Sequence, residues 1–164
     1  MILPILNVAN DIDAPECPAE TTASAFPSRT SSIALEIVDS FLFFYLACGA
    51  TTIRTAGSIE PFLDISIKRN IDSGKYPGPF IELTAPYLEG KNSLYADMKE
   101  LKTPEAAVAF VNYWADQGFT SFKGYMMIDK PTLKAAIDAV HKKNLKITGH
   151  LCAVTYREAA TMGI

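Results

Sequence analysis

The sequence predicts an α/β fold, in which short parallel strands alternate with amphipathic helices. Four β-branched segments with turn signals at their ends are separated from one another by segments with helical periodicity. With 49% hydrophobic and 20% charged residues in 164, the chain has enough apolar material for one core. Short connections imply right-handed crossovers, in an open doubly wound sheet or in part of an eight-stranded barrel.

The first part of the chain differs in composition from the rest. Residues 1–31 are rich in Pro, Ala, Ser and Thr and show little periodicity, so we expect a poorly ordered leader before an ordered domain at 32–164. Helical spacing of apolar residues then begins after Ser32, and Gly49 is placed to end that helix. No signal peptide or membrane span is predicted, which leaves a cytoplasmic location as the default.

The later elements follow in order, each with a recognisable start or stop. The predicted strands are 50–55, 80–85, 119–126 and 145–151. The helices between them are 60–73, which ends before Gly74, 103–118, with Thr103 as the N-cap, and 130–144, which closes on basic residues. A further helix is predicted to follow the last strand, and the segment 85–90 is predicted as a turn because of its Pro and Gly.

Composition also limits the partners and cofactors. A net charge of -3 with no basic stripe argues against nucleic acid as a partner. Three widely spaced cysteines fit neither a disulfide framework nor a paired-cysteine zinc site, so we expect reduced thiols. No Gly-rich phosphate fingerprint follows a predicted strand, which removes the main sequence argument for a dinucleotide-binding sheet.

Two residues are candidates for chemistry because they fall near the carboxyl ends of consecutive strands, Lys123 in FTSFKGYM and His150 in LKITGHL. A lysine in a strand covered on both faces carries a desolvation cost of several kcal/mol unless it is paired or neutral. Taken singly, Lys123 is readable as a surface lysine and His150 as a structural histidine. Their joint position favours a site. His141 lies inside a helical segment and is not proposed as a ligand.

Two further residues are candidates for contact with a substrate. Arg54 ends the first strand and would meet an acidic group of a substrate, or brace the mouth of the fold through neighbouring carboxylates. Tyr125 lies two residues beyond Lys123 on the same side of its strand, where it would line a pocket or pack in the core.

Four segments together resemble metal-dependent amidohydrolases, a broad family that includes imidazolonepropionases and prolidases. They are CGATTIRTAGS, IDSGKYPGPFIELTAPYLEG, YWADQGFTSFKGYM and AAIDAVHKKNLKITGHLCAVTYREAATMGI, and the region from the first to the last of them, 48–164, is roughly three quarters of the chain. The resemblance implies a partial (β/α)8 TIM-type barrel of about four βα units, from the second to the fifth strand.

The resemblance also implies a site. A lysine in the position of Lys123 is commonly carboxylated in this family and bridges two divalent metals, and a histidine in the position of His150 binds one of them. Zinc is the first candidate for the metal. The implied reaction is hydrolysis of an amide or another C–N bond, in a small molecule or short peptide, by metal-activated water.

The chain departs from the family pattern in its ligand set. No histidine precedes His141, so the His-x-His pair that supplies two metal ligands from the family's first strand is absent. The family's sixth-strand histidine ligand, and the eighth-strand aspartate that handles the proton, would lie beyond Ile164. We therefore expect a fragment that is inactive alone. One alternative is a non-catalytic truncated barrel that self-associates through its open edges or is completed by another chain. Another is an aldolase-like barrel in which Lys123 forms a Schiff base.

Overall fold

The computed structural model describes residues 42–164, in which strands and helices alternate as predicted. The strands are β1 (Thr52–Arg54), β2 (Phe80–Glu82), β3 (Ser121–Gly124) and β4 (Lys146–Gly149). The helices are α1 (Pro61–Asp72), α2 (Pro104–Asp116), α3 (Lys130–Lys142) and α4 (Tyr156–Met162). Residues 42–47 are also helical, and the predicted leader and the start of that first helix lie outside the described residues.

The strands lie side by side in chain order. β1 pairs in parallel with β2, and β3 pairs in parallel with β4. The two pairs are joined beyond β2, where the amide of Ala85 donates to the carbonyl of Ser121 and that of Leu88 donates to the carbonyl of Lys123, both at 2.9 Å. The described residues thus form a partial parallel α/β domain, and their assignment to part of a TIM-type barrel stays a prediction.

The strands are shorter than predicted because, after Glu82, the chain pairs with its neighbours only through isolated bridges, to Ser58 on one side and to β3 on the other. From Thr84 onward it lies beside β3, and the hydroxyls of Thr84 and Ser121 are 2.8 Å apart in the buried seam. The segment 85–90 therefore continues the sheet, and its prediction as a turn was wrong. Pro86 has no N–H to donate to a regular ladder, which helps to explain why this extension consists of isolated bridges.

The helix starts follow from local hydrogen bonding. The hydroxyl of Thr103 accepts from the amide of Ala106 at 3.2 Å, and the Asp129 carboxylate accepts from the amide of Thr132 at 2.9 Å. Both helices have a proline in the first turn, where the missing N–H costs no hydrogen bond. The predicted bounds of these two helices are confirmed to within about two residues, which is ordinary for helix ends.

The core lies between the strands and the helices that cover them. Phe122 on β3 and Leu133, Ile137 and Val140 on α3 are fully buried. On α2, the Trp114 ring packs against the Phe119 ring with centroids 5.3 Å apart. None of the helices in residues 42–164 has the length and apolar character needed to cross a bilayer.

Candidate functional site

Lys123 and His150 are brought to the same end of β3 and β4 by the register of these strands. Lys123 lies opposite Thr148, and Gly124 lies opposite Gly149. The pairing then continues one residue further, since the amide of His150 donates to the carbonyl of Gly124 at 3.0 Å. His150 therefore follows β4 directly, one residue beyond the strand that was predicted to include it, and its side chain is exposed.

Three tyrosines surround this end of β3, and we call them the tyrosine cluster: Tyr87, Tyr95 and Tyr125. The Tyr125 ring lies 4.6 Å from the Tyr87 ring and 6.1 Å from the Tyr95 ring, measured between centroids. Burial raises the pKa of the Tyr125 hydroxyl, and a hydrogen bond with Tyr95 contributes to the same shift. The Tyr125 phenol is therefore neutral at physiological pH.

The Lys123 side chain lies against the tyrosine cluster. Its Nζ atom is 5.2 Å from the centroid of the Tyr87 ring and 5.6 Å from that of the Tyr125 ring, distances suited to a cation–π contact. Within residues 42–164 no carboxylate lies within 4.0 Å of this ammonium group. Burial lowers the pKa of Lys123, and the charge of Arg54 lowers it further. More of the amine is therefore free to react than in an exposed lysine.

Arg54 is the last residue of β1, and its backbone lies opposite that of Glu82 on β2. Its side chain is exposed, and its effect on the pKa of Lys123 places the two cations at the same end of the sheet. Among the residues that the structure describes, Arg54 has no carboxylate within ion-pair distance. Arg54 and Lys123 therefore place two cationic groups at this end of the sheet, which suit an anionic group of a ligand.

Tyr125 is half-buried and lies in the tyrosine cluster, with the imidazole of His150 on its other side at 5.3 Å between ring centroids. The Tyr125 ring therefore contacts both Lys123 and His150 at this end of the sheet. The roles of Arg54 and Tyr125 in substrate binding stay predictions.

Sequence reasoning missed Tyr87, Tyr95 and the buried carboxylate of Glu89. Tyr87 and Glu89 lie two residues apart in the segment that was predicted as a turn. The segment LTAPYLE shows no clean alternation of apolar and polar residues, so periodicity offered no signal that it continues the strand. Tyr95 lies in the following loop, where no periodicity marks a residue that folds back onto the strand end.

The donors here suit part of a metal site. A neutral imidazole and a carbamate oxygen on a carboxylated lysine are both acceptable ligands for zinc. The exposed imidazole of His150 offers a ring nitrogen, and Lys123 has the free-amine character that carboxylation requires. Residues 42–164 contain no cluster of three or more His, Cys, Asp or Glu side chains that could hold a metal ion. The described residues therefore fit a partial ligand set.

Comparison with known proteins gives a likeness of fold. No family model and no curated protein matches the chain. A proposed prolidase from Bifidobacterium longum matches with a TM-score of 0.67 and 22% identity, over 82% of this chain and 36% of that one. A Xaa-Pro dipeptidase with methionine bound in its active site matches with a TM-score of 0.62 and 18% identity, over 87% of this chain and 42% of that one.

A third structure, a bottromycin amidohydrolase, matches with a TM-score of 0.62 and 20% identity, over 70% of this chain and 26% of that one. The chain thus spans less than half the length of each of these structures. The arrangement of its strands and helices is that of part of a prolidase-like and amidohydrolase-like fold.

Proposed function

We propose that the chain is part of a metal-dependent amidohydrolase that hydrolyses an amide or another C–N bond in a small molecule or short peptide. The carrying observation is the pair of Lys123 and His150 at the ends of two hydrogen-bonded strands, with the pKa of Lys123 lowered by burial. The likeness of fold to prolidase and amidohydrolase structures supports the reaction class.

Lys123 would act as a carbamate. The ammonium group first loses one proton to solvent, the free amine attacks carbon dioxide to form an N–C bond, and the nitrogen then loses a second proton, so that a cation becomes an anion with two ligand oxygens. The rings of Tyr87 and Tyr125 limit the access of water to this group, and the nearby charge of Arg54 favours the anionic product. His150 would contribute a ring nitrogen. A divalent metal held by these two residues, zinc first among the candidates, would supply activated water and polarise the scissile carbonyl.

We propose hydrolytic activity for a barrel that has the full set of metal ligands, of which the described residues supply a part. Zinc sites in proteins ordinarily use three or four protein ligands, and residues 42–164 supply two candidates. We therefore expect weak zinc binding by this chain and no turnover without further ligands.

Carbamate formation and zinc binding are measurable on the full chain. The protein would be equilibrated with 13C-bicarbonate and zinc, its carbamate detected by 13C NMR and its bound zinc counted by elemental analysis. K123A should abolish the carbamate signal, and both K123A and H150A should weaken zinc binding by about tenfold or more. The matched controls are K130A and H141A, which remove a lysine at the start of α3 and a histidine in its last turn. Equal carbamate and zinc in all five proteins would refute the proposal.

A second candidate uses the same lysine as a Schiff-base nucleophile. The lowered pKa of Lys123 and its aromatic surroundings also favour attack on a carbonyl carbon with loss of water. Borohydride treatment with a small 2-oxo acid would add a stable mass at Lys123 if this is correct. A zinc-stabilised carbamate on Lys123 would exclude it.

A third candidate is a non-catalytic chain that self-associates. Within residues 42–164, β1 pairs with β2 alone and β4 with β3 alone, so each outer strand leaves one edge open. We propose that these edges pair between copies, and that the mass in sedimentation velocity therefore rises with concentration. T52K places a charge on exposed β1 and should reduce the association, whereas T120K, beside the internal strand β3, should not. A monomer at every concentration would contradict this.

A further inference from the structure

Glu89 is a carboxylate in the interior of the described fold, with 0% of its surface exposed. Its Oε1 atom accepts hydrogen bonds from the amide of Gly90 at 2.7 Å and from the amide of Met127 at 2.6 Å. Both bonds are at or just below the short end of the usual range for amide hydrogen bonds. A glutamate this deeply buried is rare and is costly unless its hydrogen bonds compensate the lost hydration.

The two segments that Glu89 joins approach unusually closely. A Cβ atom placed on Gly90 would lie 1.9 Å from the carbonyl oxygen of Met127 and 2.7 Å from Cα of Ile128. The obstacle is backbone, so it cannot turn aside as a flexible side chain would. Glycine at position 90 therefore allows the backbone after Leu88 to contact the loop after β3. The hydrogen bond between Met127 and the Glu89 side chain stabilises this contact.

The contact extends to the loop that begins with His150. The carbonyl of Met126 accepts from the amides of Cys152 at 3.1 Å and Ala153 at 2.9 Å. Three loops at the carboxyl ends of the strands are thus tied together, and we call this arrangement the loop junction: residues 88–90, 125–128 and 150–153. Tyr125 and His150 both lie within it.

We propose that Glu89 is a positioning residue that sets the placement of Tyr125 and His150 beside Lys123. Its Oε2 atom is buried and has no hydrogen-bond partner among the residues that the structure describes, so the carboxylate keeps an uncompensated desolvation cost. An apolar side chain would avoid this cost, but it would leave the amide of Met127 without its acceptor. The role of Glu89 therefore lies in its Oε1 atom, whose hydrogen bond to the amide of Met127 holds the loop after β3 in place.

A merely stabilising role for Glu89 makes a different prediction. Loss of a stabilising residue lowers the free energy of unfolding and speeds hydrogen exchange throughout the core. Loss of a positioning residue loosens the loop junction before the core and changes the contact between the rings of Tyr125 and His150. The hydrogen bonds of the loop junction do not depend on the proposed function. Only the catalytic use of Tyr125 and His150 rests on the proposed function.

The test uses the full chain without metal and compares E89A and E89Q with the wild type by NMR. In E89A, exchange of the Met127 amide should accelerate by at least about tenfold relative to buried amides of α3, and the amides of Cys152 and Ala153 should follow. The ring protons of His150 should lose the shift caused by the Tyr125 ring. E89Q should fall between the two proteins, because its side-chain carbonyl still accepts hydrogen bonds without the charge.

The matched control is T103A, which removes the N-cap of α2 and lowers stability away from the loop junction. It should leave the His150 ring shift unchanged. Unaltered exchange and ring shifts in E89A, or equal changes in T103A, would overturn the positioning role. If E89A does not fold, the measurement on E89Q is the test. Amide exchange and His150 ring shifts equal to those of the wild type in E89Q would then overturn the positioning role of Glu89. Equal carbamate and zinc in the five proteins of the zinc-binding test would refute the proposed function and leave these readouts unaffected.

Discussion

The rings of Tyr125 and His150 meet edge to face, with centroids 5.3 Å apart and planes at 85°. The contact follows from the parallel register of β3 and β4, which brings these two residues opposite each other just beyond Gly124 and Gly149. Such pairs are worth about 0.5–1.5 kcal/mol beyond their buried area. Tyr125 also faces the Nζ atom of Lys123, so one aromatic ring borders both candidate metal ligands.

Removal of the Tyr125 ring should change the ionisation of Lys123. Burial is the main cause of the lowered pKa of Lys123, and Y125A would admit water to its ammonium group. We expect the pKa of Lys123 to rise toward 10.5, its ordinary value. Titration of 13C-dimethylated lysines by NMR would measure it. Y125F keeps the ring and should leave the pKa unchanged, and an equal rise in both variants would contradict the explanation.

Gly57 should tolerate alanine less well than another glycine of positive φ. Its φ is +121°, and a Cβ atom there would lie 2.4 Å from Cε1 of the Tyr87 ring. Gly74 has a φ of +73° and nothing within 4 Å of the same position, so it is a matched control. We expect G74A to cost about 1 kcal/mol of unfolding free energy and G57A more, measured by urea denaturation. Equal losses would mean that the Tyr87 ring moves aside freely.

Local patterns were sufficient to predict most of the described elements. The cap at Thr103 and the basic end of the segment 130–144 are encoded by nearby residues, so the bounds of α2 and α3 were predictable. Lys123 and His150 were found because parallel strands place their carboxyl ends at one edge. The tyrosine cluster was not predicted, since it depends on the pairing of the segment after Glu82 with β3 and on a loop that folds back. The first helix and the leader fall mostly outside the described residues, so those predictions stay untested.

Trp114 should be a major contributor to stability. Its ring is 8% exposed and packs against the rings of Phe62, Phe110 and Phe119 at 5.5, 6.1 and 5.3 Å between centroids. We expect W114A to cost about 3–5 kcal/mol, because a large cavity would form between α2 and the sheet. F62A removes a ring that is 55% exposed and should cost clearly less. Urea denaturation of both variants would measure this, and a loss in W114A no greater than in F62A would refute it.

Glu158 should make stability depend on pH in a narrow acidic range. A hydrogen bond from Lys130, followed by bonds from Thr155, lowers the pKa of Glu158 from 4.5 to about 2. The Thr155 amide and hydroxyl donate to its carboxylate at 3.0 and 2.8 Å, and the Lys130 ammonium group pairs with it, so α3 and α4 are joined at their starts. A carboxyl whose pKa is lower in the folded state binds fewer protons there, so it favours folding wherever it is ionised.

The resulting contribution is complete above pH 4.5 and is lost as the pH falls to about 2, where both folded and unfolded states are protonated. We expect the wild type to melt at a higher temperature than E158Q at pH 6, and the difference to shrink through this range. High salt should reduce the difference at pH 6, because the group is at the surface and is screened. Parallel melting curves for the two proteins between pH 6 and pH 2 would show instead that Glu158 is not coupled to Lys130 and Thr155 in the folded chain.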